Sequence, residues 1–164
     1  MKKQKINQNN NMSIDIKLLK KLREETQASV ADCRMALEEA KGDLKKAKAW
    51  LKERGLEKAG KKEGRETTQG VIEAYIHQNQ RIGVITELLC ETDFVARTDD
   101  FKKLAREISM QVASMKPANV DELLKQEYIR DPSLSIEQLI KGVIGKLGEN
   151  IKVKRFVRLE LGRE

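Results

Sequence analysis

GVIEAYIHQNQRIGVITELLCETDFVAR, residues 70–97, is the stretch on which the fold turns. It is rich in Val, Ile, Thr and Tyr, and two such runs flank the polar residues 78–80, the pattern of an antiparallel hairpin. In the first run, strand periodicity puts Val71, Glu73 and Tyr75 on one face and Ile72, Ala74 and Ile76 on the other. The pattern then breaks at CETDFVARTDDF, residues 90–101. Asp93 and Phe94 fall where strand gives way to helix, a position that projects from a scaffold. Spacing alone leaves two readings open: Asp93 caps a turn while Phe94 folds back onto the core, or the pair reaches outward to a partner.

Beyond this junction Phe101, Leu104, Ile108, Val112 and Met115 recur at steps of three or four, which predicts a long helix capped by Thr98 or Asp99 and ended by Pro117. A short helix is expected over residues 121–127, with a break at Pro132. Ser135 and Gln138 offer a capping box for a helix burying Ile136, Leu139, Ile140, Val143 and Leu147. Gly148 ends that helix, and IKVKRFVRLEL is a third strand. The expected fold class is α+β, a small antiparallel sheet with packed helices in the order ββααβ over residues 70–164.

Upstream, residues 13–55 read as three short amphipathic helices. Ser13 is the expected first cap, ahead of a stripe of Ile16, Leu18, Leu19 and Leu22. Ser29 and Asp32 open the second helix, whose apolar face is Val30, Cys33, Ala36, Leu37 and Ala40. Gly42 stops it, Asp43 caps the third, and Leu44, Ala47, Trp50 and Leu51 form the third stripe, with Gly55 as its expected end. Trp50 reads as core of this module. Residues 56–69 carry little apolar surface and read as a charged, partly helical linker.

Composition narrows the function classes. The 164 residues carry 33 Lys plus Arg against 26 Asp plus Glu, a net charge of +7, which invites a nucleic-acid reading until the charge is mapped. Residues 1–66 hold 18 basic and 11 acidic side chains, residues 67–150 hold 10 and 13, and residues 151–164 hold 5 and 2. A mildly acidic middle between basic ends implies no phosphate-tracking surface, and no aromatic stacking motif supports RNA binding. Lys152, Lys154, Arg155 and Arg158 read as the charges that keep an edge strand from aggregating. The single histidine, His77, has no nucleophile near it in the sequence, so covalent catalysis is not expected. Cys33 and Cys90 lack metal-ligand spacing and read as buried thiols; neither metal nor cofactor is expected. No run approaches the roughly eighteen apolar residues of a membrane span. The start, MKKQKINQNNN, is expected to be a disordered basic tail over residues 1–12. It has neither the apolar stretch of a secretory signal nor the arginines of a presequence, so a cytoplasmic setting is expected, with a plastid stroma or another organelle matrix as the alternative. Met12 is a second candidate start.

Three stretches in order, residues 16–55, residues 70–97 and KLGENIKVKRF at 146–156, resemble translation elongation factor Ts, the nucleotide-exchange factor of factor Tu. The resemblance spans residues 13–117 and 136–162. It implies that the helical module is similar to ubiquitin-associated domains and docks on factor Tu through residues such as Arg23, Asp32 and Arg34. It implies that the TDFV turn, Thr92, Asp93, Phe94 and Val95, displaces the partner's magnesium ion, and that Leu147 and Gly148 press near the same place. The partner it implies is factor Tu; the short 118–134 stretch leads to the expectation of a one-to-one complex, and the composition to that of no membrane and no direct nucleic-acid contact. The chain departs from the family in Gln27 for a usual glycine, Ala31 for methionine, Thr98 for asparagine and Leu147 for isoleucine. Between Pro117 and Ser135 it is far shorter than most members, where an additional subdomain or dimerising insertion is common.

Overall fold

The structure, a computed structural model, describes residues 15–163; Ser13 and the basic tail lie outside the described residues. After Lys52 the chain divides into two compact units. The first is built from α1 (Ile16–Thr26), α2 (Val30–Glu39) and the opening turns of α3 (Leu44–Gly60). Its caps follow from short polar side chains at the right places. Asp15 accepts from the Lys17 N–H at 2.8 Å, Ser29 from the Asp32 N–H at 3.1 Å, and Asp43 from the Lys45 and Lys46 N–H groups. Leu22, Cys33, Ala36, Leu37, Ala40 and Ala47 form the buried stripe, with Leu18, Leu19, Leu44, Trp50 and Leu51 packed on it. Ile16 and Val30 depart from expectation: both sit in first turns and are exposed, together with Met35.

The third helix does not stop at Gly55. It continues to Gly60, so residues 56–60 at the head of the charged, partly helical linker stretch are helical. Two contacts in the second unit account for this. Ala59 is buried in the core of that unit, and a Cβ built on Gly145 would stand 2.9 Å from the Gly55 Cα. Gly55 therefore lies inside the helix, its backbone closely approached by Gly145, rather than acting as a left-handed terminator.

The second unit carries a three-stranded antiparallel sheet in the order β1 (Gln69–Ile76), β2 (Ile82–Cys90), β5 (Ile151–Glu160). Val71 and Tyr75 pack toward the core, whereas Ile72, Ile76, Ile85, Val157 and Leu159 lie on the exposed face. Against the inner face packs α5 (Asp99–Met115), capped by Thr98 and tied to β2 by a buried hydrogen bond of 2.9 Å from Ser109 to Thr86. Phe101, Leu104, Ile108 and Val112 are buried as the spacing predicts, but Met115, at the last turn, is exposed. The short helix forms as α6 (Val120–Lys125).

Residues 127–135 hold two strands that sequence patterning did not indicate, β3 (Glu127–Tyr128) and β4 (Asp131–Ser135), so the order is richer than ββααβ. Their pairing is held by side chains from α5. The fully buried Gln111 amide donates to the Glu127 carbonyl at 3.0 Å and accepts from the Ile129 N–H at 3.0 Å. The Tyr128 hydroxyl donates to Glu107 at 2.7 Å, and Arg130 pairs with the same carboxylate. Then α7 (Ile136–Leu147) opens with the complete capping box of Ser135 and Gln138 and closes at Gly148, whose φ of 81° is left-handed. Ile144 joins Ile136 and Ile140 on its buried stripe.

Candidate functional site

The end of β2 and the start of β5 lie side by side, with Cys90 and Ile151 as their last Cα partners. Two turns leave the sheet from this shared edge. One follows β2 and carries Thr92, Asp93, Phe94 and Val95; the other precedes β5 and carries Leu147 and Gly148. Sheet topology brings these six predicted residues to one end of the unit.

The first turn forms a short helix, α4 (Asp93–Ala96), capped by the Thr92 hydroxyl, which accepts from the Val95 N–H at 3.4 Å. Val95 and Ala96 face inward and are buried, while Phe94 points away with 81% of its surface exposed. Phe94 therefore does not fold back onto the core. Asp93 pairs with Arg97 one helical turn later at 2.8 Å, an exposed ion pair that water screens. Beneath the turn, burial first and the Glu149 carboxylate second push the Cys90 thiol up to about 11. It stays protonated and donates to the Thr92 carbonyl at 3.1 Å.

The second turn is the left-handed Gly148 end of α7. Leu147 is half-buried there and packs against the core of the unit, and Gly148 is exposed. The Lys62 ammonium donates to the Gly148 carbonyl. Burial, and then the charge of Arg65, hold the Lys62 pKa below the ordinary lysine value. Asn150, which is 3% exposed, donates from its side chain to the carbonyls of Glu63 at 3.2 Å and Arg65 at 2.8 Å. Residues after α3 are thus pinned beneath the site instead of running free.

Arg23, Asp32 and Arg34 lie in the helical unit. Arg23 is exposed in the last turn of α1, and Arg34 is exposed on α2 and paired with Glu38 at 3.1 Å. Asp32 accepts the Ser29 hydroxyl at 2.6 Å in the capping arrangement that opens α2. His77 follows β1 and contacts the Tyr75 hydroxyl through Nδ1 at 3.0 Å, so it belongs to the hairpin. Among the described residues no group of three or more His, Cys, Asp or Glu side chains is arranged to hold a metal ion, and no helix is long and apolar enough to cross a membrane.

Similarity to other proteins falls on the same residues. A family model described as elongation factor TS matches residues 91–164, which includes both turns. Elongation factor Ts of Coprothermobacter proteolyticus is 44% identical over 196 aligned positions, covering 92% of this chain and 100% of the relative. The chain belongs to the elongation factor Ts family. The Fervidobacterium nodosum factor is 41% identical, with 92% of this chain and all of the relative covered. The factor from Synechococcus sp. (strain JA-3-3Ab) is 42% identical over 197 positions, covering 92% of this chain and 70% of the relative. That aligned length exceeds the chain's own 164 residues, so this elongation factor Ts relative carries residues that this chain lacks.

Reading the sequence missed Glu149, Glu91, Asn150 and Lys62, all of which hold the two turns. A signal for two of them was present. Glu91 closes the second predicted strand and Asn150 immediately precedes the third, positions at which a ladder runs out of backbone partners.

Proposed function

We propose that this chain is a guanine-nucleotide exchange factor for translation elongation factor Tu. It binds factor Tu carrying GDP, dislodges the magnesium ion and promotes GDP release during polypeptide elongation. The observation that carries this reading is Phe94. A large aromatic side chain is 81% exposed on a turn whose neighbours Val95 and Ala96 are buried, so the turn is anchored and the ring is free for a partner.

Magnitudes decide how the work is divided. Magnesium offsets the charge of phosphate oxygens, so its loss loosens bound GDP. Burying Phe94 in a partner pocket contributes roughly 1.5–3 kcal/mol. Accelerating release by about ten-thousandfold needs about 5.5 kcal/mol of differential stabilisation. The ring cannot supply that alone. Leu147 and Gly148 at the same end of the unit add contacts near the phosphate-binding loop. The helical module, similar in this reading to ubiquitin-associated domains, adds a separate docking surface through Arg23, Asp32 and Arg34. Its exposed Ile16, Val30 and Met35 suit a protein partner better than solvent. Because binding free energies are reciprocal, a factor that favours empty factor Tu loses affinity when nucleotide returns, and the cycle needs no chemistry on this chain. The complex is one-to-one, the setting is the cytoplasm or alternatively a plastid stroma or another organelle matrix, and neither a membrane nor nucleic acid is engaged.

Stopped-flow release of a fluorescent GDP from factor Tu tests this. The chain accelerates release, and Phe94→Ala slows the stimulated rate at least tenfold while retaining binding. No acceleration by the wild-type chain would overturn the reading. Equal rates for wild type and Phe94→Ala would remove Phe94 from it.

A further inference from the structure

Past Cys90 and Ile151 the β2–β5 ladder has no further Cα partners, yet the two chains do not splay. Carboxylates from each side continue the pairing. Glu149 accepts the Thr92 N–H at 2.9 Å through one oxygen and the Thr92 hydroxyl at 2.6 Å through the other. Glu91 accepts the Asn150 N–H at 2.6 Å. Thr92, the second residue past β2, and Asn150, the residue just before β5, are thus each held by a side chain from the opposite strand's continuation. Thr92 and Glu149 stand 57 positions apart in the chain.

The chemistry at Thr92 gives this crossing a direction. An ionised carboxylate only accepts, so the hydroxyl proton must point to Glu149. That leaves the Thr92 oxygen lone pairs for the Val95 N–H, the bond that opens α4 and sets the direction of Phe94. One side chain on the Gly148 turn therefore fixes both the backbone position and the cap of the Phe94 turn.

We infer that Glu149 is a positioning residue for nucleotide exchange: by holding Thr92 through two hydrogen bonds it makes the turn of Asp93 and Phe94 and the turn of Leu147 and Gly148 one rigid element that enters the partner as a unit. This rests on the exchange reading above. The partner then meets two contacts already set in register, and ordering them costs nothing at the moment of exchange. Glu91 and Asn150 support the same register from the other side, and Lys62 steadies the Gly148 carbonyl.

The test is Glu149→Gln. Its amide presents one oxygen where the carboxylate presents two, so in the same pose an N–H₂ group replaces one of the two acceptors of Thr92; set against the hydroxyl, that group competes for the lone pairs that cap Val95. In stopped-flow GDP release from factor Tu, the saturating rate falls about tenfold, whereas the half-saturating concentration changes less than about threefold. Adding Phe94→Ala to Glu149→Gln causes little further loss beyond Phe94→Ala alone, because Glu149 acts through the ring's placement. In 15N relaxation measurements, the Val95 amide becomes more mobile in Glu149→Gln while amides of α5 do not. If Phe94→Ala slows release but Glu149→Gln matches wild type, or if the two losses multiply, the positioning role is overturned and the exchange reading stands. If the wild-type chain does not stimulate release, the exchange reading itself fails. Should Glu149→Gln not fold, Glu149→Asp, which draws the carboxylate back from Thr92 by one methylene and leaves the Thr92 cap intact, is held to the same outcomes.

Discussion

Gly145 on α7 faces Gly55 on α3 so closely that a Cβ added to Gly145 would lie 2.9 Å from the Gly55 Cα and 3.1 Å from its carbonyl oxygen. The relation is not symmetrical, since a Cβ added to Gly55 meets no atom within 4 Å. The two alanine substitutions are therefore expected to move stability in opposite directions. Gly55→Ala, in a helix interior with open space, gains about 0.5–1 kcal/mol of helix propensity. Gly145→Ala gains the same propensity but forces one backbone away from another, for a net loss of about 1–3 kcal/mol. Urea unfolding of both variants followed by circular dichroism measures the difference, and equal midpoints would show that the helices do not approach this closely.

That pair also marks where sequence patterning stops being informative. Glycine after an apolar stripe reads locally as a helix end, and nothing within ten residues of Gly55 reveals a second glycine across a helix crossing. Local devices were legible: the Ser135 and Gln138 capping box, the left-handed Gly148 and the two hairpin runs all act over a few residues. The paired strands β3 and β4 were not, because buried Gln111 and Glu107 on α5 organise them and neither announces a partner. At the site, the exposed junction of Asp93 and Phe94 was visible as an odd pairing at a strand end. The Glu149 bonds to Thr92 were invisible because only the closed sheet brings them together.

Gln27 stands at the end of α1 with φ of 57°, in left-handed geometry that a side chain disfavours. Its N–H still donates to the Arg23 carbonyl at 2.7 Å, so the backbone requires this conformation whatever the residue. Glycine adopts it without strain. Gln27→Gly is expected to stabilise the helical unit by about 0.5–1 kcal/mol, less whatever the exposed bond from the Gln27 side chain to the Glu24 carbonyl contributes. An increase in melting temperature of the full chain, with the far-ultraviolet spectrum unchanged, is the measurement.

Tyr128 offers a titration at high pH. Burial first, and then the bond to the Glu107 carboxylate, push its phenol up from 10.0 to about 12. An acid whose proton is held more tightly in the folded state stabilises the fold fully below its unfolded value, and this is lost as pH rises from about 10 through about 12. In a Tyr75→Phe background the phenolate absorbance therefore rises late. Glu107→Gln, which removes the negative charge beside the hydroxyl, lowers the midpoint. An unchanged midpoint in that variant would mean that burial alone sets the shift.

Phe94 and Phe101 stand seven residues apart and should answer the same substitution in opposite ways. Phe101 is 0% exposed in the core beneath the sheet, and Phe94 is 81% exposed on α4. Truncating the buried ring leaves a cavity, so Phe101→Ala is expected to lose about 3–5 kcal/mol of stability. Truncating the exposed ring leaves none, and Phe94→Ala should stay within about 0.5 kcal/mol of wild type. Thermal unfolding of both variants gives the first half of the comparison and GDP release from factor Tu the second. A residue retained for folding moves the melting curve, whereas one retained for a partner moves the exchange rate alone. If Phe94→Ala unfolds as early as Phe101→Ala, the ring packs on the protein in solution and its loss from exchange would carry no information about contact with factor Tu.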